Sequence, residues 1–178
     1  MQTAASPVIS VRPADESDVP AITRIYADAV LTMPATFELD PPSEGEMLQR
    51  MRDVRARDFP YVVALAGAQV VGYAYAAPYR LRPAYRYTVE DSVYVASDMH
   101  GRGAGAALLR ELIDACTRSG YRQMVAVIGG NAPASIALHR AQGFDEVGRL
   151  RSVGRKFDRW LDTTLLQRAL GAGDADAP

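Results

Sequence analysis

Among its 178 residues the chain has a single cysteine, Cys116, and a single lysine, Lys156. One cysteine excludes an intramolecular disulfide and a cysteine-rich zinc site. Histidine is almost as scarce, with only His100 and His139, and no third ligand is spaced to join them, so no metal is expected. Long apolar runs are missing: stretches such as residues 61–68 fall short of the ~18–20 residues a membrane helix needs. A surplus of positive charge is absent too, because 20 basic residues stand against 21 acidic ones for a net charge of −1. A protein that grips nucleic acid usually carries a basic excess, so neither nucleic acid nor membrane is expected as a partner. Residues 1–7 show no cationic segment followed by an apolar one, so no secretory signal is read and a cytoplasmic location is expected.

What the chain does have is ordinary globular composition, 48% apolar and 23% charged, enough for one domain with its own core. We place that domain at residues 8–170, between a flexible start at 1–7 and a disordered tail at 171–178. Nineteen of the twenty basic residues are arginine. Composition bias explains most of that, but one consequence survives it. Guanidinium groups stay protonated and clamp anions, so a general base has to be a carboxylate or one of the two histidines.

Hydrophobic spacing predicts the element order. Residues 8–12 alternate as a short strand. Ser17 or Asp18 caps a helix whose stripe is Val19, Ile22, Ile25, Tyr26, Ala29 and Val30. Prolines 34, 41 and 42 mark a loop around Thr36, Phe37 and Glu38, and a second helix spans 43–57 with a solvated arginine face. Residues 61–65 and 70–76 read as a hairpin, and 88–96 as a strand. A helix follows over 103–119, stopped by Gly120, then a buried strand over 124–128 and a helix over 134–142 ended by Gly143. The remainder, 144–167, suits two strands joined near Gly154.

The densest signal is HGRGAGA, residues 100–106, between a strand and a helix. Glycines at alternate positions let backbone approach a ligand, and the following helix aims free amides and its positive dipole end at the same place, as for a phosphate. The segment lacks the Lys-Ser/Thr of a P-loop, and its G-x-G-x-G spacing is not that of a dinucleotide fold. The run SVYVASDMHGRGAGAALLRELI resembles the acyl-CoA-binding motif of the GNAT superfamily of N-acetyltransferases, Gln/Arg-x-x-Gly-x-Gly/Ala. Gly103 and Gly105 match its glycines, and His100 stands at the Gln/Arg position. YRLRPAYRYTVEDSVYV, SIALHRAQGF and VGRKFDRWLD echo, in order, the branch of phosphinothricin and methionine-sulfone acetyltransferases, and the similarity covers about residues 8–168.

That resemblance implies an α/β (α+β) single-domain fold, a mixed, splayed central sheet of six or seven strands flanked by four helices, with a slot for acetyl-CoA as co-substrate and no metal. Val93, Tyr94 and Val95 are then expected along the pantetheine arm, with His100, Gly101, Arg102, Gly103, Ala104, Gly105 and Ala106 at the pyrophosphate. Ser135 and Asn131 resemble residues near the pantetheine; Asn131 reads equally as a helix N-cap.

Acetyl transfer needs a proton removed from the acceptor ammonium and one returned to the leaving thiolate. Glu90 is an acid inside an apolar strand pattern, where burial raises its pKa toward a useful range, and its counterpart in the family is the base. Its alternative is a structural carboxylate paired with an arginine such as Arg86. Asp91 is expected on the other face of the sheet. His139, four residues after Ser135 on one helix face, stands where the branch has the histidine that replaces a thiolate-protonating tyrosine. Arg80 and Arg82, interleaved with Tyr79, Tyr85 and Tyr87, are candidates to bind a carboxylate or phosphinate, surface arginines being the other reading. Tyr87 and Phe37 are placed with them as pocket walls, although Phe37 also suits the core. Trp160 suits the core or a subunit contact.

The resulting expectation is an N-acetyltransferase acting on the α-amine of a small amino acid or analogue, as a homodimer. Acetylation of a peptide or protein N-terminus, and a silent acyl-CoA-binding module, are the alternatives.

Overall fold

The computed structural model describes residues 7–130 and 132–177. Seven strands form one mixed sheet in the order β1-β2-β3-β4-β5-β7-β6. They are β1 (Ile9–Pro13), β2 (Tyr61–Ala66), β3 (Gln69–Pro78), β4 (Thr88–Val95), β5 (Gln123–Gly129), β6 (Asp145–Lys156) and β7 (Arg159–Ala169). Four helices accompany them, α1 (Val19–Thr32), α2 (Glu44–Arg55), α3 (Ala104–Arg118) and α4 (Pro133–Ala141).

Each helix starts for a local reason. At α2, Ser43 and Glu46 form a reciprocal capping box. Before α1 the side-chain cap is Asp15, whose carboxylate accepts from the Ser17 amide at 2.8 Å, rather than Ser17 or Asp18. Asp18 is buried and otherwise engaged, accepting from Arg12 Nη1 and Nη2 at 2.8 Å and from the Asp15 amide at 2.9 Å. Pro133 stands at the first turn of α4, where its missing N–H is harmless.

Both faces of the sheet are covered, as its apolar strands require. On one face Val89, Ala74, Met124 and Leu166 pack with Leu108, Leu109 and Leu112 of α3. On the other, Tyr61, Val63 and Tyr73 pack with Ile22, Tyr26 and Val30 of α1 and Met51 of α2.

Two features depart from the expected order. The β6–β7 hairpin turns at Phe157 and Asp158, both in the left-handed region with φ of 51° and 54°, and not near Gly154, which lies inside β6. Gly154 answers to space: a Cβ there would come within 2.4 Å of the Phe37 ring. At the C-terminal end, Leu170 is core, and residues 171–177 turn back so that Asp176 pairs with Arg122 at 2.6 Å.

The feature that positions the site is the one parallel pairing. β4 and β5 are hydrogen-bonded over only four residue pairs, from Thr88 opposite Gln123 to Asp91 opposite Ala126. Beyond them both strands run on, to Val95 and Gly129, as the two arms of a fork.

Candidate active site

A cavity of about 270 Å³ occupies the fork. Residues 90–94 of β4 and 126–129 of β5 form its arms, Ala35 and Phe37 of the α1–α2 loop, with Thr163 of β7 beside Gly129, close one side, and Ser135 and His139 of α4 close the other. Strand side chains alternate, so Glu90 and Tyr94 belong to the α1–α2 face while Asp91 and Val93 belong to the α3–α4 face. Where the strands part there is no sheet between those faces, and both line one space.

Glu90 is half-buried at the base of the fork. Burial pushes its carboxyl above the usual carboxylate range; the charge of Arg80 opposes this and that of Asp91 adds to it. Arg86 is not its partner, since that guanidinium lies over the Tyr87 ring at 4.5 Å. A carboxylate whose affinity for a proton is raised this way, at the edge of a cavity, has the properties of a general base.

Across the fork, Asp91 and His139 form a buried pair. His139 Nε2 lies 2.9 Å from Asp91 Oδ2, and Nδ1 donates to the Ser135 carbonyl at 2.7 Å. Both partners accept, so the ring is satisfied as an imidazolium with two donors. Burial is the largest single influence and works against that charge. The Asp91 hydrogen bond and charge, with the Ser135 carbonyl, outweigh it, and the pKa is raised. Phe144 packs edge-on against the ring at 5.1 Å. Asp91 Oδ1 is buried without a hydrogen-bond partner among the described residues. Asp91 is the site residue that sequence reasoning missed. The signal was present, a second acid in an apolar strand together with one histidine on a later helix, but strand alternation assigns it to the far face.

Beyond the fork, the end of β4 leads through a 3-10 turn into loop 100–103 and α3. Gly101 and Gly103 have φ of 72° and 89°, with nothing within 4 Å of where a Cβ would stand. Gly103 is the N-cap of α3 and offers no side-chain cap, which leaves the first-turn amides of Ala104, Gly105 and Ala106 turned outward for an anion. Gly105 has a different role: a Cβ there would meet Leu138 of α4 at 3.3 Å, so this glycine lets α3 and α4 approach. The His100 ring folds back and donates to the Val95 carbonyl at 3.0 Å. This stretch and Val95 lie at the end of the fork and do not line the cavity itself, whereas Val93, Tyr94 and Ser135 do.

The remaining expected residues divide. Phe37, 39% exposed, lines the cavity. Arg80 lies outside it but close enough for its charge to act on Glu90; its guanidinium stacks on Tyr79 at 4.3 Å. Arg82 is exposed and precedes a 3-10 turn, Pro83–Tyr85. The segment carrying both arginines is a loop and not a strand, so alternation does not put them on one side. Tyr87 is a correction: it lines a separate groove with Arg86, Tyr121 and Arg122, at the opposite end of β4. Trp160 is exposed and not core. Asn131 lies outside the described residues. No cluster of acidic, histidine or cysteine side chains suited to a metal ion is found among the described residues.

The model of the acetyltransferase (GNAT) family matches residues 22–144, and the chain belongs to that family. It is 49% identical over 171 residues to a phosphinothricin N-acetyltransferase of Alcaligenes faecalis, covering 95% of this chain and 86% of that protein. It is 42% identical over 160 residues to an L-methionine sulfoximine/L-methionine sulfone acetyltransferase of Pseudomonas aeruginosa, covering 89% and 92%. Among solved structures, a phosphinothricin acetyltransferase from Sinorhizobium meliloti in complex with acetyl-CoA superposes with a TM-score of 0.94 at 50% identity, covering 96% of this chain and 92% of that one.

Proposed function

We propose that this GNAT-family N-acetyltransferase moves the acetyl group of acetyl-CoA onto the α-amine of a small amino-acid analogue of the phosphinothricin, methionine sulfone or methionine sulfoximine type. The observation that carries the reading is the meeting of Glu90 and the Asp91–His139 pair in one cavity at the fork of β4 and β5. The acceptor ammonium loses a proton to Glu90, and the free amine attacks the thioester carbon. The new C–N bond forms, the C–S bond breaks, and the electron pair leaves on sulfur. The Asp91–His139 pair returns a proton to that thiolate from Nε2. Because this N–H points at Asp91 Oδ2 at rest, its contact has to loosen for delivery, so His139 speeds the step without being indispensable. The α3 amides and loop 100–103 hold the pyrophosphate, Val93, Tyr94 and Val95 lie along the pantetheine arm, and Arg80 takes the acceptor's acidic group.

An acceptor panel read by free thiol release tests this. Amino-acid analogues carrying a phosphinate, sulfone or sulfoximine are expected to react; exclusive use of peptide N-termini, or no turnover, rejects the reading. We also assign the protein to the cytoplasm, in keeping with its buried free thiol Cys116, and to a homodimer. The exposed apolar side chains of Val147, Val153 and Trp160 on the β6–β7 hairpin favour such an interface. Light scattering that returns the monomer mass at micromolar concentration rejects the dimer.

A further inference from the structure

We infer that Lys156 is a positioning residue for the acceptor, its ammonium pinning the α1–α2 loop by two backbone carbonyls and thereby setting where Phe37 closes the cavity. The inference rests on the proposed function, in which that side of the fork receives the acceptor.

Lys156 sits at the end of β6 and is only 5% exposed. Its Nζ donates to the Met33 carbonyl at 3.1 Å and the Thr36 carbonyl at 2.9 Å, and lies 5.0 Å from the centre of the Phe157 ring. Those bonds join segments about 120 positions apart in the chain. Burying an ammonium against neutral carbonyls is an expensive way to fill space, and an apolar side chain of similar length would pack there without the desolvation cost. A compact tetrahedral donor does meet two converging carbonyls and an aromatic face, which a wider planar guanidinium does not. In a chain that uses arginine at every other basic position, this is the place where arginine is not used.

What the ammonium holds down is the wall of the cavity. Pro34 rests on Gly130, where a Cβ would stand 2.2 Å from the Pro34 Cβ. Phe37 rests on Gly154 and Gly129, where added Cβ atoms would lie 2.4 and 2.9 Å from its ring. Thr36 shares a hydrogen bond with the Tyr26 hydroxyl at 3.0 Å, and Glu38 is paired with Arg50. Three glycines therefore vacate the seat and one lysine pulls the loop into it.

The test is Lys156→Met and Lys156→Arg in the full chain, with acceptor KM, kcat, calorimetric acetyl-CoA affinity and amide hydrogen exchange over residues 33–38. Lys156→Met is expected to raise acceptor KM about tenfold and speed exchange in the loop, with acetyl-CoA affinity held within about twofold; Lys156→Arg does not restore the wild-type KM. Lys156→Gln, which keeps a shorter neutral donor, is expected to show the same KM and exchange signature and stands in should Lys156→Met not fold; Gly154→Ala, which leaves the ammonium in place but displaces Phe37, is expected to raise acceptor KM likewise. Unchanged loop exchange, or a loss shared equally by acceptor and acetyl-CoA, overturns the inference. If no amino-acid analogue is turned over by the wild type, the acceptor reading falls, and loop exchange still decides whether Lys156 pins it.

Discussion

The two walls of the fork are built by different means. On the α3–α4 side, the groups proposed to hold acetyl-CoA are mostly backbone: the open arm of β4, the left-handed Gly103 and the first turn of α3. They come from one uninterrupted stretch, and the ionisable pair facing the cavity there, Asp91 with His139, is internal and buried. On the α1–α2 side the wall is made of side chains drawn from remote segments. Phe37 lines the cavity from one loop, Arg80 stands just outside it on another with its charge acting on Glu90, and the first loop is held by Lys156 from the far hairpin. A backbone wall suits a ligand that does not vary, because only glycine or its absence can change it. A wall of loop side chains can be retuned one substitution at a time, which is where selectivity among acceptors belongs. Glu90, at the base of the fork, serves both.

The largest effect is therefore expected at Glu90. Glu90→Gln keeps the shape and removes the basicity, and turnover should fall by ~100–10,000-fold, while calorimetric acetyl-CoA affinity stays near wild type. Burial raises the Glu90 pKa, so wild-type activity should decline as pH falls through a value above that of an ordinary glutamate, and the variant should lack that acidic limb. Turnover within a few-fold of wild type across pH ~6–9 would show that the substrate supplies its own free amine.

Next in size is Arg80→Ala, which probes the acceptor side and, by removing a charge that lowers the Glu90 pKa, also moves the acidic limb of the activity profile upward. A charge-assisted hydrogen bond contributes ~1.5–3 kcal/mol, so acceptor KM should rise about ten- to a hundredfold with the acetyl-CoA constant unmoved. Arg82→Ala, exposed and without a partner in the site, should fall well short of it. Amino-acid amides should be poor acceptors for the wild type and no worse than the acids for Arg80→Ala. Equal use of acids and amides by the wild type would remove the clamp.

The same division decides how much could be read from the chain. Helix stripes, the seven strands and the strand-loop-helix of residues 92–113 were legible because each is local, a spacing or a motif in one run. Three things were not. Alternation put Asp91 on the far face, correctly, but nothing local says that β4 and β5 part after four pairs and let two faces share a cavity. Gly154 reads as a turn until Phe37 is seen in its place. Lys156 stands out as the single lysine, but nothing local says what it holds, since its partners Met33 and Thr36 lie at the other end of the chain. Acceptor-side residues are selected by tertiary contact, for which periodicity has no signal.

A smaller effect is expected at the backbone wall. Gly103→Val forces a β-branched residue into φ of 89°, a conformation costing ~1–3 kcal/mol, although the side chain itself meets nothing. Acetyl-CoA affinity should weaken about tenfold, with acceptor KM at saturating acetyl-CoA little changed. Undiminished binding by calorimetry would reject loop 100–103 as the pyrophosphate site.

The smallest effect, and the one that tests whether the buried pair belongs to its wall as a charged unit, is Asp91→Asn. Asparagine keeps an oxygen for His139 Nε2 but removes the counter-charge, exchanging a charge-assisted hydrogen bond for an ordinary one. The difference is about 1–2 kcal/mol, or roughly 2–8 °C in Tm for a chain of this size. Its size depends on pH. The His139 pKa is raised in the folded state, so the protonated pair contributes fully below the unfolded value of about 6.5 and the contribution is lost as pH rises through the folded pKa. Wild type and variant should thus differ most near pH 6 and converge as pH rises through the folded His139 pKa. The other ionisable groups that feel Asp91 are Glu90 beside it and Cys116 of α3, whose thiol burial and the Asp91 charge push up to about 12. Cys116 therefore stays neutral throughout this range, and because Asp91→Asn also relieves the upward push of Asp91 on Glu90, the comparison is made in a Glu90→Gln background, where the difference between the two melting curves reports the pair. Curves that run parallel from pH ~6 to ~9 would mean that His139 is neutral in the folded protein, and the proton returned to the thiolate would have to come from elsewhere.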